Sequence, residues 1–337
     1  MADRMKHPTI LDVADEAGVS KSLVSLVMRG SDRVSPSSRE AVLDAAKRLG
    51  YRPNAAARTM ARQRSSVIGV LISNLRNPFF ADVVDGIDMA ITPAGYRAIL
   101  TTGNAVPERE YRAMATLLEM RVDGLILVSP VVRNERAIEA SQTVPTVVVG
   151  KATRSSTLHS VTNDDRRGAE MVVDHLVDLG HRRIAHIDGG YGAGARPRRT
   201  GYTRAMRGHG IESEIRSVRG GFTEEGGGTG MRRLLVEGTR PTAVFVANDL
   251  AAIGALEVVD IAGLKVPGDI SVVGYDNTAL AASSRMGLTT IDQPRHDMGR
   301  MAAGLILEKI GQGRTSTHHA VLSPKLIARE STGPPSL

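Results

Sequence analysis

In this 337-residue chain, polar and aromatic side chains stand at the ends of a series of apolar runs. Asn77, Phe79 and Phe80 follow VIGVLIS, Ser129 closes DGLILVS, and Arg198 follows RRIAHIDG across a glycine-rich loop. Asn248 and Asp249 close TAVFVAND, and Asp276 closes ISVVGYD. An arginine fork, an amide and a carboxylate offer donors and acceptors in fixed directions, while phenylalanine rings pack on C–H faces. The set suits a small polyhydroxylated ligand. Each position also has a structural use: core packing at a helix start for Phe79 and Phe80, capping of the next helix for Asn248 and Asp276.

Reactive chemistry has little footing. The chain has no cysteine, which removes disulfides, thiolate nucleophiles and cysteine-held zinc. His175, His181 and His186 read as lying on a helix, a turn and a strand, and His318 and His319 as an exposed pair, so no metal site is expected. The glycine clusters GGYGAG and GGGTG do not keep the G-x-G-x-x-G spacing of a dinucleotide site, and neither G-x-x-x-x-G-K-S/T nor G-x-S-x-G occurs. No catalytic residue, metal or cofactor is assigned, and a non-enzyme is expected.

The candidate ligand residues require a scaffold of alternating strands and helices. From Ser66 onward, strand-length apolar runs (VIGVLIS, YRAILTTG, DGLILVS, TVVVGK, RRIAHIDG, TAVFVAND, ISVVGYD) alternate with amphipathic segments such as Glu108 to Met120 and Leu250 to Ala262. That alternation predicts parallel sheets built from βαβ units. About 270 residues exceed one comfortable doubly wound sheet, so two lobes are expected, with ligand in the cleft outside the carboxyl ends of the strands.

Before Ser66 the pattern is helical. Thr9 and Asp12 form a capping-box pattern ahead of Ile10, Val13, Ala14 and Ala17, and Gly18 ends the stripe. Ser20 caps a second helix with Leu23, Val24 and Val27 inward and Lys21, Ser22, Ser25 and Leu26 toward the other side. A third helix has Ser35 as cap, Pro36 at its first position, Val42, Leu43, Ala46 and Leu49 buried, and Gly50 as its stop. The spacing fits a helix-turn-helix. After Pro53, Ala55 to Met60 predict a short basic helix that orders only against a partner, because isolated helices need about 12 residues or more.

Charge agrees with a nucleic-acid partner for this first segment. Residues 1–65 hold 12 Lys and Arg against 7 Asp and Glu, so +5 of the chain's net +7 lies in its first fifth. No stretch approaches ~18 consecutive apolar residues, so no membrane span is expected. MADRMKHPTI is not followed by a secretory apolar region, which predicts a cytoplasmic protein.

The stretch TILDVADEAGVSKSLVSLVMRGSDRVSPSSREAVLDAAKRLGYRPNAAARTM resembles the N-terminal domain of the lactose-repressor and galactose-repressor (LacI/GalR) family. NPFFADVVDGI, VDGLILVSP, RPTAVFVANDLAAIGAL, VPGDISVVGYDN and LTTIDQP resemble its core-domain motifs in order. The resemblance implies an all-α helix-turn-helix domain (1–50), a hinge (51–65) and an α/β two-lobed periplasmic-binding-protein-like domain with parallel sheets (66–337). Its N-lobe would span about 66–163 and 292–322, and its C-lobe about 164–291 and 323–337.

It further implies a repressor that binds a palindromic double-stranded operator as a homodimer under allosteric control by a sugar-like effector. A purine or other non-sugar effector is the alternative, and a solute-binding protein a distant one. Lys21, Ser22 and Leu26 would read bases, and Thr9, Ser20, Ser25, Asn54 and Arg58 would position the backbone, with Ala57 beside them in the hinge. Met60 stands where the family wedges a leucine into the minor groove. Leu26 departs from polar family members. Effector contacts carry over to Asn77, Phe79, Phe80, Ser129, Arg198, Phe222, Asn248, Asp276 and Gln293, several of them matching the pocket of related ribose-binding proteins. Many relatives place Asp and Arg after TVVVG, where this chain has Gly150 and Lys151. STGPPSL after Glu330 is too short for a tetramerising coiled coil, so a dimer is expected.

Overall fold

A computed structural model describes residues 8–51, 64–283, 287–313 and 316–336. It divides into two compact units, Met1–Ser65 and Ser66–Leu337.

The first unit packs α1 (Ile10–Ala17), α2 (Lys21–Met28) and α3 (Pro36–Leu49) around Val13, Val24, Val27, Val42 and Ala45. The capping box forms as the spacing predicts, with the Thr9 side chain accepting from Asp12 N and the Asp12 carboxylate accepting from Thr9 N at 2.6 Å. Gly18 and Gly50 close α1 and α3 in left-handed conformation, where a side chain would be strained. Leu43 differs from expectation. It is 49% exposed, because Val42, Ala45 and Ala46 already fill the face of α3 that meets the other helices.

In the second unit the strands alternate with helices in chain order. The first stretch runs β1 (Val67–Ile72), α4 (Pro78–Ile91), β2 (Arg97–Thr102), α5 (Pro107–Glu119), β3 (Gly124–Val128), α6 (Asn134–Thr143), β4 (Thr146–Val149) and β5 (His159–Asn163). There follow α7 (Asp165–Asp178), β6 (Ile184–Asp188), α8 (Ala195–Gly208), β7 (Arg216–Arg219), α9 (Glu224–Val236), β8 (Ala243–Val246), α10 (Asp249–Ile261), β9 (Ser271–Val273) and α11 (Ala279–Ser283). The chain ends with β10 (Thr290–Asp292), α12 (Arg295–Gln312), β11 (His319–Leu322) and β12 (Lys325–Ile327).

Among the described residues these strands make a six-stranded parallel sheet, ordered β11-β5-β4-β3-β1-β2, and a four-stranded parallel sheet, ordered β7-β6-β8-β9. A short antiparallel pair joins β10 to β12. In both sheets the order reverses beside the first strand, between β1 and β3 and between β6 and β8. Such switch points open a crevice at the carboxyl ends of the strands.

Each sheet is covered on both faces, which is why its central strands β1, β3, β4 and β8 read as continuous apolar runs. Helices α4 and α12 bury one face of the first sheet with Phe79, Phe80, Val83, Ile87 and Met298, and α5 and α6 bury the other with Met114, Leu117 and Ala137. Helices α9 and α10 cover one face of the second sheet, and α7 and α8 the other. The GGGTG cluster is not a phosphate loop but the buried side of α9. A Cβ on Gly227 would lie 1.8 Å from the Ala251 carbonyl, and one on Gly254 2.0 Å from the Glu224 carbonyl, so α9 and α10 meet backbone to backbone.

His186 on β6 is fully buried, stacked on Phe245 with ring centroids 4.5 Å apart, its Nδ1 3.0 Å from the Phe245 carbonyl oxygen. Burial holds its pKa down to about 4, against about 6.5 for a free imidazole. The ring is neutral in both folded and unfolded chains above pH 6.5. Below that, the unfolded chain takes up the proton first, so stability falls between pH 6.5 and 4, by about 3 kcal/mol from this residue. Chemical denaturation across that range is expected to show a loss larger by about that amount for the wild type than for His186→Phe. Equal losses would contradict it.

Candidate functional site

In the first unit, Thr9, Ser20, Lys21 and Ser22 are exposed, the last two in the first turn of α2. The Ser20 side chain caps that helix by accepting from Leu23 N at 3.2 Å, so its hydroxyl has a local role. Ser25 and Leu26 are half-buried, and Leu26 packs against the helical core, which limits how far it can reach outward. Asn54, Ala57, Arg58 and Met60 lie outside the described residues.

In the second unit, the carboxyl ends of β1, β3, β6 and β8 face one cavity of about 510 Å³. Asn77, Phe79, Phe80, Ser129, Arg198, Phe222, Asn248, Asp276 and Gln293 all line it. Volume and lining fit a small-molecule site.

The polar wall is a locked network. Arg198, 5% exposed, donates from Nε to Asp165 Oδ1 at 3.0 Å and from Nη1 to the Ala247 carbonyl at 2.6 Å, and it lies 3.8 Å from Asp276 Oδ1. Its guanidinium sits 3.7 Å over the Tyr275 ring and 5.5 Å from the Phe222 ring. Burial alone would lower the Arg198 pKa, but Asp165, Tyr275 and Asp276 outweigh it and hold the cation. Asp276 accepts from Gln293 Nε2 at 2.6 Å and Asn77 Nδ2 at 3.4 Å. Behind it, Asp249 accepts from Thr290 Oγ1 at 2.6 Å, Thr278 N at 2.7 Å and Thr278 Oγ1 at 3.0 Å. Burial and the adjacent Asp276 carboxylate push Asp249 upward, and burial pushes Asp276 upward against the opposing pull of Arg198 and Arg295.

The structural and ligand-facing uses of these residues coincide. Phe79 and Phe80 pack into the first core while lining the cavity, their rings edge to face with centroids 5.3 Å apart. Asn248 caps α10, its Oδ1 accepting from Ala251 N at 2.9 Å. Its Nδ2 is buried and has no hydrogen-bond partner among the described residues, a donor that a ligand oxygen would satisfy. Asp276 is not a helix cap; its backbone holds φ +116°, a strained geometry that aims the carboxylate at Gln293 and Asn77. The Phe222 ring rests where a Cβ on Gly189 or Gly192 would stand, 2.3 Å and 2.5 Å from ring atoms, so the GGYGAG cluster clears room for an aromatic wall.

Asp165 also lines the cavity, although the sequence did not point to it. It follows β5, whose sequence HSVTN is too polar to read as a strand; the rule of inspecting strand ends finds it once β5 is known. Glu110 is a second omission. Fully buried in α5, it accepts from Ser73 Oγ at 2.8 Å, Val131 N at 2.8 Å and Val132 N at 3.0 Å, fixing loops whose Ser73 and Val131 line the cavity. The signal was its spacing with Met114 and Leu117, which puts a carboxylate on the buried stripe. Lys151 departs from the cavity: its Nζ donates to the Val132 carbonyl at 2.7 Å, and burial lowers its pKa. No group of three or more acids or histidines close enough to hold a metal occurs among the described residues, and none of the described helices is long and apolar enough to cross a membrane.

Residues 9–54 match the family model of bacterial regulatory proteins of the lacI family, and residues 173–332 match that of a periplasmic binding protein-like domain. The chain is 35% identical to the ribose operon repressor of Escherichia coli (strain K12), over 96% of this chain and 99% of that protein. It resembles the solved structure of a lac repressor dimer bound to operator and the anti-inducer ONPF, with a TM-score of 0.83, 31% identity and coverage of 97% and 100%. It also resembles a complex of the transcriptional regulator CelR with cellobiose, with a TM-score of 0.72, 33% identity and coverage of 96% and 99%. With its capped three-helix unit and a cavity built at the switch points of two parallel sheets, the chain belongs to the LacI family of DNA-binding transcriptional regulators.

Proposed function

We propose that this regulator is a cytoplasmic, non-catalytic repressor that binds a palindromic operator as a homodimer and changes its DNA affinity when a sugar or sugar derivative fills the cavity. One observation carries the effector class. Arg198, Asp276, Gln293 and Asn77, joined by an ion pair and hydrogen bonds, line the cavity together with the Phe79, Phe80 and Phe222 rings, and Asn248 Nδ2 has no partner among the described residues. Alternating hydroxyls and C–H faces are what such a wall recognises. The nine lining residues named above form the effector site in this reading, with Asp165 added.

Operator contacts follow from exposure. Lys21 and Ser22 read base edges from the first turn of α2, while Thr9, Ser20 and Ser25 position the backbone. Leu26 has only its partly exposed edge to offer a thymine methyl. The hinge, residues 51–65 with Asn54, Ala57, Arg58 and Met60, completes the DNA surface, and the lobes divide at about 163/164, 291/292 and 322/323. Ligand changes DNA affinity only as far as it binds one state of the protein more tightly than the other.

Gly150 supports a second reading. No acidic side chain stands at this point of the cavity wall, which leaves room for a purine or other flat ring against the phenylalanines. Thermal denaturation separates the two, since a ligand at 100 times its Kd adds about 2.7 kcal/mol to the folded state. Pentoses and hexoses are expected to raise Tm and nucleobases to leave it unchanged. The reverse outcome would replace the sugar reading with the purine one.

A further inference from the structure

Beside the cavity, and sharing Val131, Gly150, Asp165 and Tyr191 with it, lies a second hollow of about 940 Å³. Lys151, Arg154, Arg166 and Arg196 stand on its wall. The acids there are committed elsewhere: Asp164 caps α7 by accepting from Arg167 N at 3.0 Å, and Asp165 is paired with Arg198 at 3.0 Å. Arg154, Arg166 and Arg196 are exposed and make no ion pair among the described residues. The hollow is therefore a concave surface with a surplus of free positive charge, opening onto a site for an uncharged ring.

Two further features point to a ligand group in it. Helix α8 begins at this hollow, through Gly194, Arg196 and Pro197, and no side chain caps it; Ala195 N donates to the Gly192 carbonyl at 3.2 Å and Pro197 has no N–H, so the Arg196 N–H and the positive end of the helix are what favour an anion here. Asn163, 5% exposed, lines the same hollow, and its Oδ1 has no hydrogen-bond partner among the described residues. An unpartnered acceptor in the wall of a hollow that also carries free guanidinium groups matches a ligand that brings a hydroxyl and an anion together. Gly150 lines both spaces. It holds φ +76°, and a Cβ there would lie 2.6 Å from Ser129 Oγ.

We propose that the effector is a sugar phosphate ester, its ring in the cavity and its phosphate past Gly150 in the basic hollow, held by Arg154, Arg166 and Arg196. This rests on the sugar reading of the cavity. Guanidinium forks suit phosphate because two N–H donors meet two oxygens at once.

Calorimetric titration of the full chain with pentoses, hexoses and their monophosphate esters tests it. One ester is expected to bind at least about tenfold more tightly than its parent sugar, an advantage that shrinks in 0.5 M NaCl. In Arg154→Gln/Arg196→Gln the advantage is expected to fall below about twofold while the parent sugar binds as before. A parent sugar that binds as tightly as its ester, or an ester advantage that survives the double substitution, overturns the phosphate assignment and leaves the sugar reading standing. Failure of every sugar and every ester to bind overturns both.

Discussion

Arg198→Met is expected to weaken effector binding at least about 100-fold and to destabilise the second unit by about 3 to 5 kcal/mol. Methionine keeps most of the volume and removes the charge. Asp165, 8% exposed, loses its 3.0 Å partner, and Asp276, 3% exposed, loses the nearest cation on its side of the cavity. Removing one member of a buried charged network costs more than the pair contributed, because the remaining carboxylates stay in a poorly solvating site. The Ala247 carbonyl also loses its 2.6 Å donor, and the Tyr275 ring loses the guanidinium above it. Calorimetry with the ligand that raises wild-type Tm, together with urea denaturation, reads both effects. Affinity within about threefold of wild type would remove Arg198 from the effector site.

The second large effect concerns two glycines that set the position of the aromatic wall. Helix α4, which carries Phe79 and Phe80, crosses α12 where a Cβ on Gly86 would lie 2.1 Å from the His296 carbonyl and one on Gly299 2.0 Å from the Val83 carbonyl. In an unobstructed helix Gly→Ala stabilises by about 0.5 to 1 kcal/mol. Gly86→Ala is expected to reverse that sign and destabilise by about 2 to 4 kcal/mol, because the obstacle is backbone and cannot rotate away. Gly304→Ala, in α12 with nothing within 4 Å of its Cβ, is the control and is expected to stabilise by about 0.5 to 1 kcal/mol. Effector affinity is expected to fall in Gly86→Ala and not in Gly304→Ala. Stabilisation by both substitutions, read by chemical denaturation, would contradict the close crossing.

Central parallel strands were the most legible part of the fold, since burial on both faces makes VIGVLI and GLILV uniformly apolar. The edge strands β2 and β9 were legible too, as YRAILTTG and ISVVGYD, but β5 and β7 were not. HSVTN in β5 and RSVR in β7 carry polar side chains at positions satisfied by neighbours, as when Ser160 Oγ bonds His319 Nδ1 at 2.8 Å. Strand β11 joins the first sheet beside β5 from about 160 residues further along the chain, a pairing that local pattern does not encode. The cavity was readable wherever a polar or aromatic residue closed an apolar run, as for Asn248 and Asp276. It was unreadable at Asp165, whose strand was hidden, and at Glu110, whose function depends on loops it meets only in the folded chain. Leu43 shows the limit of apolar periodicity: a three-helix unit has fewer inward positions than its helices have apolar residues.

Ligand binding in the second unit is expected to change DNA binding by the first. Fluorescence anisotropy of the full chain on a palindromic duplex, selected by this protein from random sequence, measures that link directly. Affinity for the selected duplex is expected to exceed that for scrambled DNA by about 1000-fold or more, and to fall steeply with salt. It is expected to change at least about tenfold when the Tm-raising sugar or sugar phosphate is added, a coupling of about 1.4 kcal/mol, and to be insensitive to that ligand in Arg198→Met. Equal affinity for selected and scrambled duplexes, or a selected-duplex affinity that the bound ligand leaves unchanged, would contradict it.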